Sequence, residues 1–204
     1  MKPILLLCGL LLTASAAPAQ RLWTEADQRA TVANLQRTRN ELTRAVATLT
    51  DAQWNFREAP GRWTIAEVVE HLGTWEIAFA REIGEGIRNA PRPDLAAAQT
   101  AAAADPDTYY REFIMEDKPH VAPDFARPTG LLTGKNALTF FQLKRDLAIG
   151  FADTTRTDMR LYYERTGSRF PRNMQQVYIF QWGHVDRHLR QIQRIKQHPD
   201  YPKS

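Results

Sequence analysis

The chain has 204 residues, of which 43% are hydrophobic and 25% are charged, and its formal net charge is +4. Lys and Arg alternate with Asp and Glu, and no basic block with interleaved aromatics occurs, so the composition predicts a mixed-charge solvated surface and no nucleic-acid partner. Cys8 is the only cysteine, which excludes an internal disulfide framework.

The N-terminus has the three parts of a secretory signal peptide. Met1 and Lys2 form a short basic region, residues 4–12 form an almost unbroken apolar run, and small residues lead to Ala19. The apolar run is far shorter than the ~20 residues that a membrane-spanning helix needs. We therefore expect residues 1–19 to be removed and the mature protein to be periplasmic or secreted, without membrane association after cleavage.

The mature chain, residues 20–204, is long enough for one domain with a sizeable core. Its apolar periodicity predicts four long helices, and no strand-like alternation of useful length occurs. The four helices are expected at about 25–49, 64–89, 135–152 and 173–197. This pattern predicts an all-helical fold, a four-helix bundle.

The start of the second long helix has a clear signal. Thr64 is followed three residues later by Glu67, which predicts a capping box. Between the second and third long helices, residues 91–133 are rich in Pro and Ala, and we expect a short helix near 108–115 within a long irregular crossover. The third long helix is expected to bury an apolar stripe that consists of Ala137, Phe140, Phe141, Leu143, Leu147 and Phe151.

Three histidines lie on predicted inward stripes. His184 and His188 are four residues apart on the fourth long helix, so their side chains share one face and can bind one ion. His71 lies on the inward stripe of the second long helix. Burying three imidazoles is costly unless each finds a partner, and a shared metal ion satisfies all three. The alternative is that His71 is a core histidine bonded to a carbonyl and that the other two are partly exposed.

Other candidate residues are weaker. His120 and His198 lie in Pro-flanked irregular chain and are interpreted as surface residues. Glu67 and Gln181 are candidate helpers beside the histidines, although Glu67 is explained equally well by the capping box. The sequence has no Gly-rich phosphate loop, no nucleophile elbow and no His-Glu-x-x-His motif, so no catalytic residue is assigned.

Several motifs point together to one known family. The stretch 49–72 contains Thr-Asp-Ala-Gln, then Pro-Gly-Arg-Trp-Thr, and then the helix with His71. The stretch 184–192 contains the paired histidines, and residues 199–202 read Pro-Asp-Tyr-Pro. These motifs resemble those of the DinB/YfiT-like metalloenzyme family, and the similarity covers nearly all of the mature chain.

The resemblance implies a four-helix bundle of up-down-down-up type. It also implies that the family's three motif histidines, here His71, His184 and His188, bind one divalent metal ion, with zinc or nickel as the expected cofactor. Some members are thiol-dependent transferases that act with mycothiol, bacillithiol or glutathione. Export would remove this chain from the reduced thiol pool that such reactions need.

The sequence leaves three functions open. The first is metal-dependent hydrolysis or thiol group transfer on a small-molecule substrate, because three protein ligands leave a coordination position free. The second is non-catalytic binding of a metal or small ligand in the periplasm. The third is a structural clamp, in which the metal joins the second and fourth long helices. The substrate and the oligomeric state stay open, with a homodimer as one outcome.

Overall fold

A computed structural model describes residues 23–101, 105–118, 120–164 and 171–203. The predicted signal peptide lies outside these described residues. Within them the chain is helical, apart from an isolated antiparallel bridge between Tyr163 and Asn173. The helices are α1 (Glu25–Val46), α2 (Asp51–Trp54), α3 (Ile65–Gly86), α4 (Pro93–Thr100), α5 (Pro106–Ile114), a 3₁₀ turn (Asp124–Ala126), α6 (Gly134–Thr154) and α7 (Met174–Lys196).

Reciprocal capping fixes where four of the helices begin. The N-cap side chain accepts a hydrogen bond from the backbone N–H three residues later, and the side chain of that later residue accepts one from the N-cap N–H. The predicted box of Thr64 and Glu67 is confirmed at the start of α3. The other three boxes have Thr24, Thr50 and Asn173 as their N-caps.

The four long helices form the predicted bundle. Helices α1 and α3 each pack against both α6 and α7, and the short α5 packs on the outside of α7. Gly73 marks the close approach of α3 to α6, because a Cβ at this position would overlap the ring of Phe140. None of the helices in the described ranges is long and apolar enough to cross a membrane.

A layer of polar side chains separates two apolar clusters in the bundle core. Each long helix contributes one buried residue to this layer: Thr38, Glu76, Arg145 and Gln181. Arg145 Nε and Nη2 donate to the Glu76 carboxylate at 2.8 and 2.6 Å, and Nη1 donates to Thr38 Oγ1 at 2.6 Å. Gln181 Nε2 donates to Glu76 Oε2 at 2.7 Å. The buried charge pair is therefore hydrogen-bonded to the other two helices of the bundle.

The predicted buried face of α6 is partly wrong. Leu143 and Leu147 are 61% and 69% exposed, and Phe151 is 39% exposed. The helix is turned so that Arg145, rather than these apolar residues, enters the core. Its buried residues are Gly134, Ala137, Phe141, Arg145, Ala148 and Ala152.

In its described residues, the crossover between α3 and α6 contains more helix than expected. The predicted short helix corresponds to α5, but α4 was not predicted, although an alanine-rich sequence with a proline in its first turn favours a helix. The side chain of Asp105 caps α5 by accepting from the N–H of Asp107. The crossover therefore lays two short helices and a 3₁₀ turn beside the bundle, and the end of α5 and the 3₁₀ turn form part of the site described next.

Candidate metal centre

The structure brings the three predicted histidines together. His71 lies in the second turn of α3, and His184 and His188 lie one turn apart on α7. The Nε2 atom of His184 is 3.3 Å from that of His71 and 3.0 Å from that of His188. All three side chains are buried, and one ring nitrogen from each lies within 4.8 Å of the others. The cluster can therefore offer three ligands to one metal ion.

Hydrogen bonds to the other ring nitrogens fix two of the tautomers. His71 Nδ1 donates to the carbonyl oxygen of Ala126 at 2.6 Å, and His188 Nδ1 donates to Gln191 Oε1 at 2.7 Å. A neutral imidazole has one N–H, so the Nε2 atoms of His71 and His188 carry lone pairs. Partners of this kind orient metal-binding histidines and keep the ligand nitrogen free for the ion.

Burial keeps the three imidazoles neutral. It lowers the pKa of His71, although the hydrogen bond to Ala126 opposes the shift. Burial and then repulsion from His71 lower the pKa of His188 to about 3. Burial and then the neighbouring His188 and His71 lower the pKa of His184 well below its ordinary value. Neutral imidazoles are the form that binds a metal ion, so the pocket prepares the ligands for binding.

The donor set fits a divalent ion better than it fits internal hydrogen bonding. His71 and His188 both present Nε2 lone pairs to His184, which has at most one Nε2 proton to share between them. At least one buried lone pair therefore finds no donor within the cluster. A tetrahedral zinc ion with bonds of about 2.0–2.1 Å separates its ligand nitrogens by roughly 3.3 Å, close to the spacings found here.

Aromatic side chains pack around the histidines. The ring centroid of Trp63 lies 4.8 Å from that of His71. The centroids of Trp75 and Phe79 lie 5.4 and 6.1 Å from that of His184. These rings restrict the rotation of the imidazoles and lower the polarity around them, which strengthens electrostatic interactions at the cluster.

Glu70, the residue before His71, anchors the crossover against α3. Its carboxylate accepts hydrogen bonds from the backbone N–H groups of Thr129 and Gly130 at 2.9 and 3.0 Å, and from Thr129 Oγ1 at 2.5 Å. Gly130 has a φ of +71°, which favours glycine. This contact lies a few residues after Ala126, so it helps to place the carbonyl that orients His71.

The histidine cluster opens into a pocket of about 790 Å³. Aromatic residues of α3 and α7 and the crossover segment after α5 line its walls. Arg187 holds this segment in place, because its guanidinium donates to the backbone carbonyls of Ile114, Glu116 and Lys118. The three histidines can thus contact a small molecule that enters from solvent.

The two candidate helper residues are engaged elsewhere. Glu67 accepts from the N–H of Thr64 in the capping box and pairs with Arg57 at 2.8 Å. Gln181 is fully buried in the polar layer, where its amide nitrogen binds Glu76. Neither residue lines the pocket, so neither is placed to contact a bound substrate.

The two remaining histidines lie apart from the cluster. His120 is exposed, as predicted, and forms part of the outer pocket wall. His198 is half-buried rather than a plain surface residue, because its ring packs 5.4 Å from that of Phe56. Sequence reasoning missed Gln191 and Arg187, although their positions on α7 place them beside the predicted ligands.

Comparison with known proteins supports the fold and the family. A search of curated proteins found no match. Among solved structures, YfiT from Bacillus subtilis superposes with a TM-score of 0.52 at 13% identity, over 88% of this chain and 91% of that chain. YfiT is described as a probable metal-dependent hydrolase with an unusual four-helix bundle topology. At this identity the likeness shows the shared fold alone.

A family model gives the assignment. The model of the DinB superfamily matches residues 34–192, more than half of the chain. The matched region contains both histidine motifs and all four long helices except for the ends of α1 and α7. The same two motifs carried the resemblance found in the sequence. This chain therefore belongs to the DinB superfamily.

Proposed function

We propose that this protein is a metal-dependent hydrolase that binds one divalent ion, zinc or nickel, through His71, His184 and His188. The observation that carries this proposal is the convergence of three neutral imidazole Nε2 atoms on the floor of an open pocket. Three protein ligands in a substrate-accessible pocket are typical of catalytic sites, whereas structural zinc sites are closed by four. The description of YfiT as a probable metal-dependent hydrolase agrees with this proposal.

The chain's own residues prepare the site for a small-molecule substrate. When bound, a divalent ion with three protein ligands acts as a Lewis acid toward a carbonyl group or a water molecule. The hydrogen bonds of His71 to Ala126 and of His188 to Gln191 hold the ligand rings in place. The aromatic walls bind the apolar part of a substrate and exclude bulk water from the reacting bond.

Two other functions use the same residues. A non-catalytic protein would bind a metal or small ligand at this site and catalyse no reaction. A thiol group transferase would need a thiol substrate, since Cys8 is the only cysteine and lies within the predicted signal peptide. We place hydrolysis first because the pocket leaves the histidine cluster accessible and water is the co-substrate that every compartment supplies.

The metal site is tested by elemental analysis. Purified protein should contain about one equivalent of zinc or nickel, and His188→Ala should lose most of it, because two imidazoles hold a divalent ion much less tightly than three. His120→Ala is the matched control, since His120 is an exposed histidine outside the cluster. Equal metal loss in the two variants would show that the site is misplaced.

Catalysis is tested on the same samples. Zinc-loaded and nickel-loaded protein should hydrolyse members of a panel of small esters and amides, and His188→Ala should lower the rate by about 100-fold or more, as expected for loss of a catalytic metal. Metal binding without turnover of any panel member would favour the non-catalytic binder. Turnover that requires a low-molecular-weight thiol would favour the transferase.

We further propose that the chain is exported and acts outside the cytoplasm. The support is the basic, apolar and small-residue pattern of residues 1–19. Mass spectrometry of protein from the periplasm or the medium should give an N-terminus at or near Gln20. Soluble cytoplasmic protein that retains Met1 would contradict export.

A further inference from the structure

The wall of the pocket carries an excess of positive charge. Among the described lining residues, seven Arg and Lys side chains face only two carboxylates, those of Glu116 and Asp117. Some of these cations are neutralised locally, since Lys118 pairs with Glu116 at 3.0 Å and Arg172 pairs with Glu164 at 2.8 Å. The charge that remains available to a ligand lies mainly on α7.

Three arginines of α7 follow one flank of the helix beside the histidine ligands. Arg187, Arg190 and Arg194 are spaced by three and four residues, so their side chains lie on neighbouring turns. Within the part of the chain that the structure describes, Arg187 donates only to backbone carbonyls, and these bonds leave its positive charge uncompensated.

The next two arginines of this flank are available at the mouth of the pocket. Arg190 is exposed, and no residue in the described part of the chain forms an ion pair or hydrogen bond with its side chain. Arg194 is 54% exposed and has one loose contact, 3.9 Å to Glu58. A guanidinium with unused donors binds a carboxylate through two parallel hydrogen bonds.

The aromatic part of the wall, in contrast to the arginines, favours an apolar group of the ligand. Trp63, Trp75, Phe79, Phe113 and Phe180 line the pocket. Large aromatic side chains bind apolar groups but offer little to a fully hydrated ion. A ligand that satisfies both parts of the wall has an apolar body and one anionic end.

We propose that the pocket selects a small organic anion, namely an ester or amide whose apolar body packs on the aromatic wall and whose carboxylate is bound by Arg190 and Arg194. The choice of an ester or amide rests on the proposed function. In the reaction, water adds to the acyl carbon and the C–O or C–N bond breaks, which gives a carboxylic acid and an alcohol or amine. The anionic end lies away from the reacting bond.

Binding of a matched pair of probes tests the charge preference directly. Naphthalene-2-carboxylate and naphthalene-2-carboxamide have the same ring and nearly the same shape, but only the first carries a charge. By calorimetry the zinc-loaded protein should bind the carboxylate about tenfold more tightly, as expected for one charge-assisted contact at a half-exposed site. Added salt should reduce this preference, because mobile ions screen exposed charges.

Arginine variants locate the source of the preference. The double variant Arg190→Gln/Arg194→Gln should bind the two probes within about twofold of each other, as expected when the paired charges are gone. Arg29→Gln is the control, since Arg29 is an exposed arginine of α1, outside the pocket, and it should keep the wild-type preference. Equal affinity for both probes in the wild type would overturn the proposal.

A carboxylate can also bind a metal ion. The metal-deficient His188→Ala protein therefore tests whether the arginines or the metal ion recognise the anion. It should still prefer the carboxylate. If it binds both probes equally while the double arginine variant keeps the preference, the metal recognises the anion and the proposal is wrong. A persistent preference without hydrolysis of any ester would defeat only the proposed function, and hydrolysis without the preference would defeat only this inference.

Discussion

At the scale of single residues, the site depends on what lies behind the histidines as much as on the histidines. The carbonyl of Ala126 and the amide of Gln191 each accept from an Nδ1–H group. They hold the imidazoles of His71 and His188 in the tautomer whose Nε2 atoms can bind a metal ion. Burial then lowers the pKa of both rings, so that the ligand form is present at neutral pH.

Gln191→Leu should weaken metal binding without removing a ligand. The substitution deletes the acceptor for His188 Nδ1–H, and loss of such a partner costs about 10–100-fold in metal affinity. The measurement is a competition titration against a chelating dye. Gln193→Leu is the matched control, because Gln193 is an exposed glutamine of the same helix. Unchanged affinity in the Gln191 variant would show that the hydrogen bond does not support the ligand.

The sequence predicts that the three histidines cluster, but it does not reveal most of the hydrogen-bond partners of their rings. His71, His184 and His188 lie on strongly periodic apolar stripes, so both periodicity and the family motifs led to them. Ala126 contributes a backbone carbonyl, and nothing in its side chain signals this role. It also lies 55 residues from His71, so only the tertiary fold of the crossover brings the two together.

At the scale of helices, the predicted buried face is correct where the inward stripe is apolar and wrong where that stripe contains a charged residue. Helices α3 and α7 bury long apolar stripes and begin with capping boxes. In α6 the inward stripe contains Arg145 and several small residues, whereas Leu143 and Leu147 face outward. Hydrophobicity alone therefore selects the wrong face. A buried arginine is recognisable only through Glu76, its partner on another helix.

The charge pair in the polar layer leads to a prediction about the stability of the fold. Arg145→Met should lower the free energy of unfolding by about 3–5 kcal/mol, because it leaves the Glu76 carboxylate buried without its cation. Adding Glu76→Gln should recover much of this loss, since a neutral amide can still accept from Gln181. Chemical denaturation of the single and double variants measures both effects.

An exposed pair of the same chemistry serves as the control for that experiment. Arg81 and Glu85 form an ion pair on the surface of α3, at 76% and 53% side-chain exposure. Arg81→Met should leave the free energy of unfolding unchanged within error, because exposed pairs contribute little. If the Glu76→Gln substitution made the Arg145→Met protein still less stable, the layer would not act as a charge pair.

At the scale of the whole molecule, the histidine cluster joins parts that are distant in sequence, but it does not hold the fold alone. His71 comes from α3, His184 and His188 come from α7, and the crossover supplies the carbonyl behind His71. Two apolar clusters fill the bundle on either side of the polar layer. A core of this extent predicts that the metal-free protein folds, unlike a zinc finger, which needs its ion.

The pH dependence of stability follows from the lowered pKa values. Above pH ~6.5, the ordinary imidazole pKa, neither the folded nor the unfolded chain protonates these histidines. Below it the unfolded chain takes up protons that the folded site does not, because burial lowers the pKa of His188 to about 3 and that of His71 and His184 below the ordinary value. Stability is therefore lost as pH falls, by at most ~1.4 kcal/mol per pH unit for each histidine.

Thermal melts of metal-loaded and metal-free protein test this linkage. Metal at a hundred times its dissociation constant should add ~2.7 kcal/mol to the free energy of unfolding, and each kcal/mol raises the Tm by about 2–4 °C in a domain of this size.

The ordinary imidazole pKa alone would predict displacement of the ion near pH 6 to 5. Because the folded site stays neutral further into acid, the difference in Tm should persist at about pH 5.5, while both melts move to lower temperature. Identical melts at about pH 7.5, with metal shown to be bound in one sample, would contradict the linkage. A metal-free protein that is fully unfolded would make the ion a structural clamp.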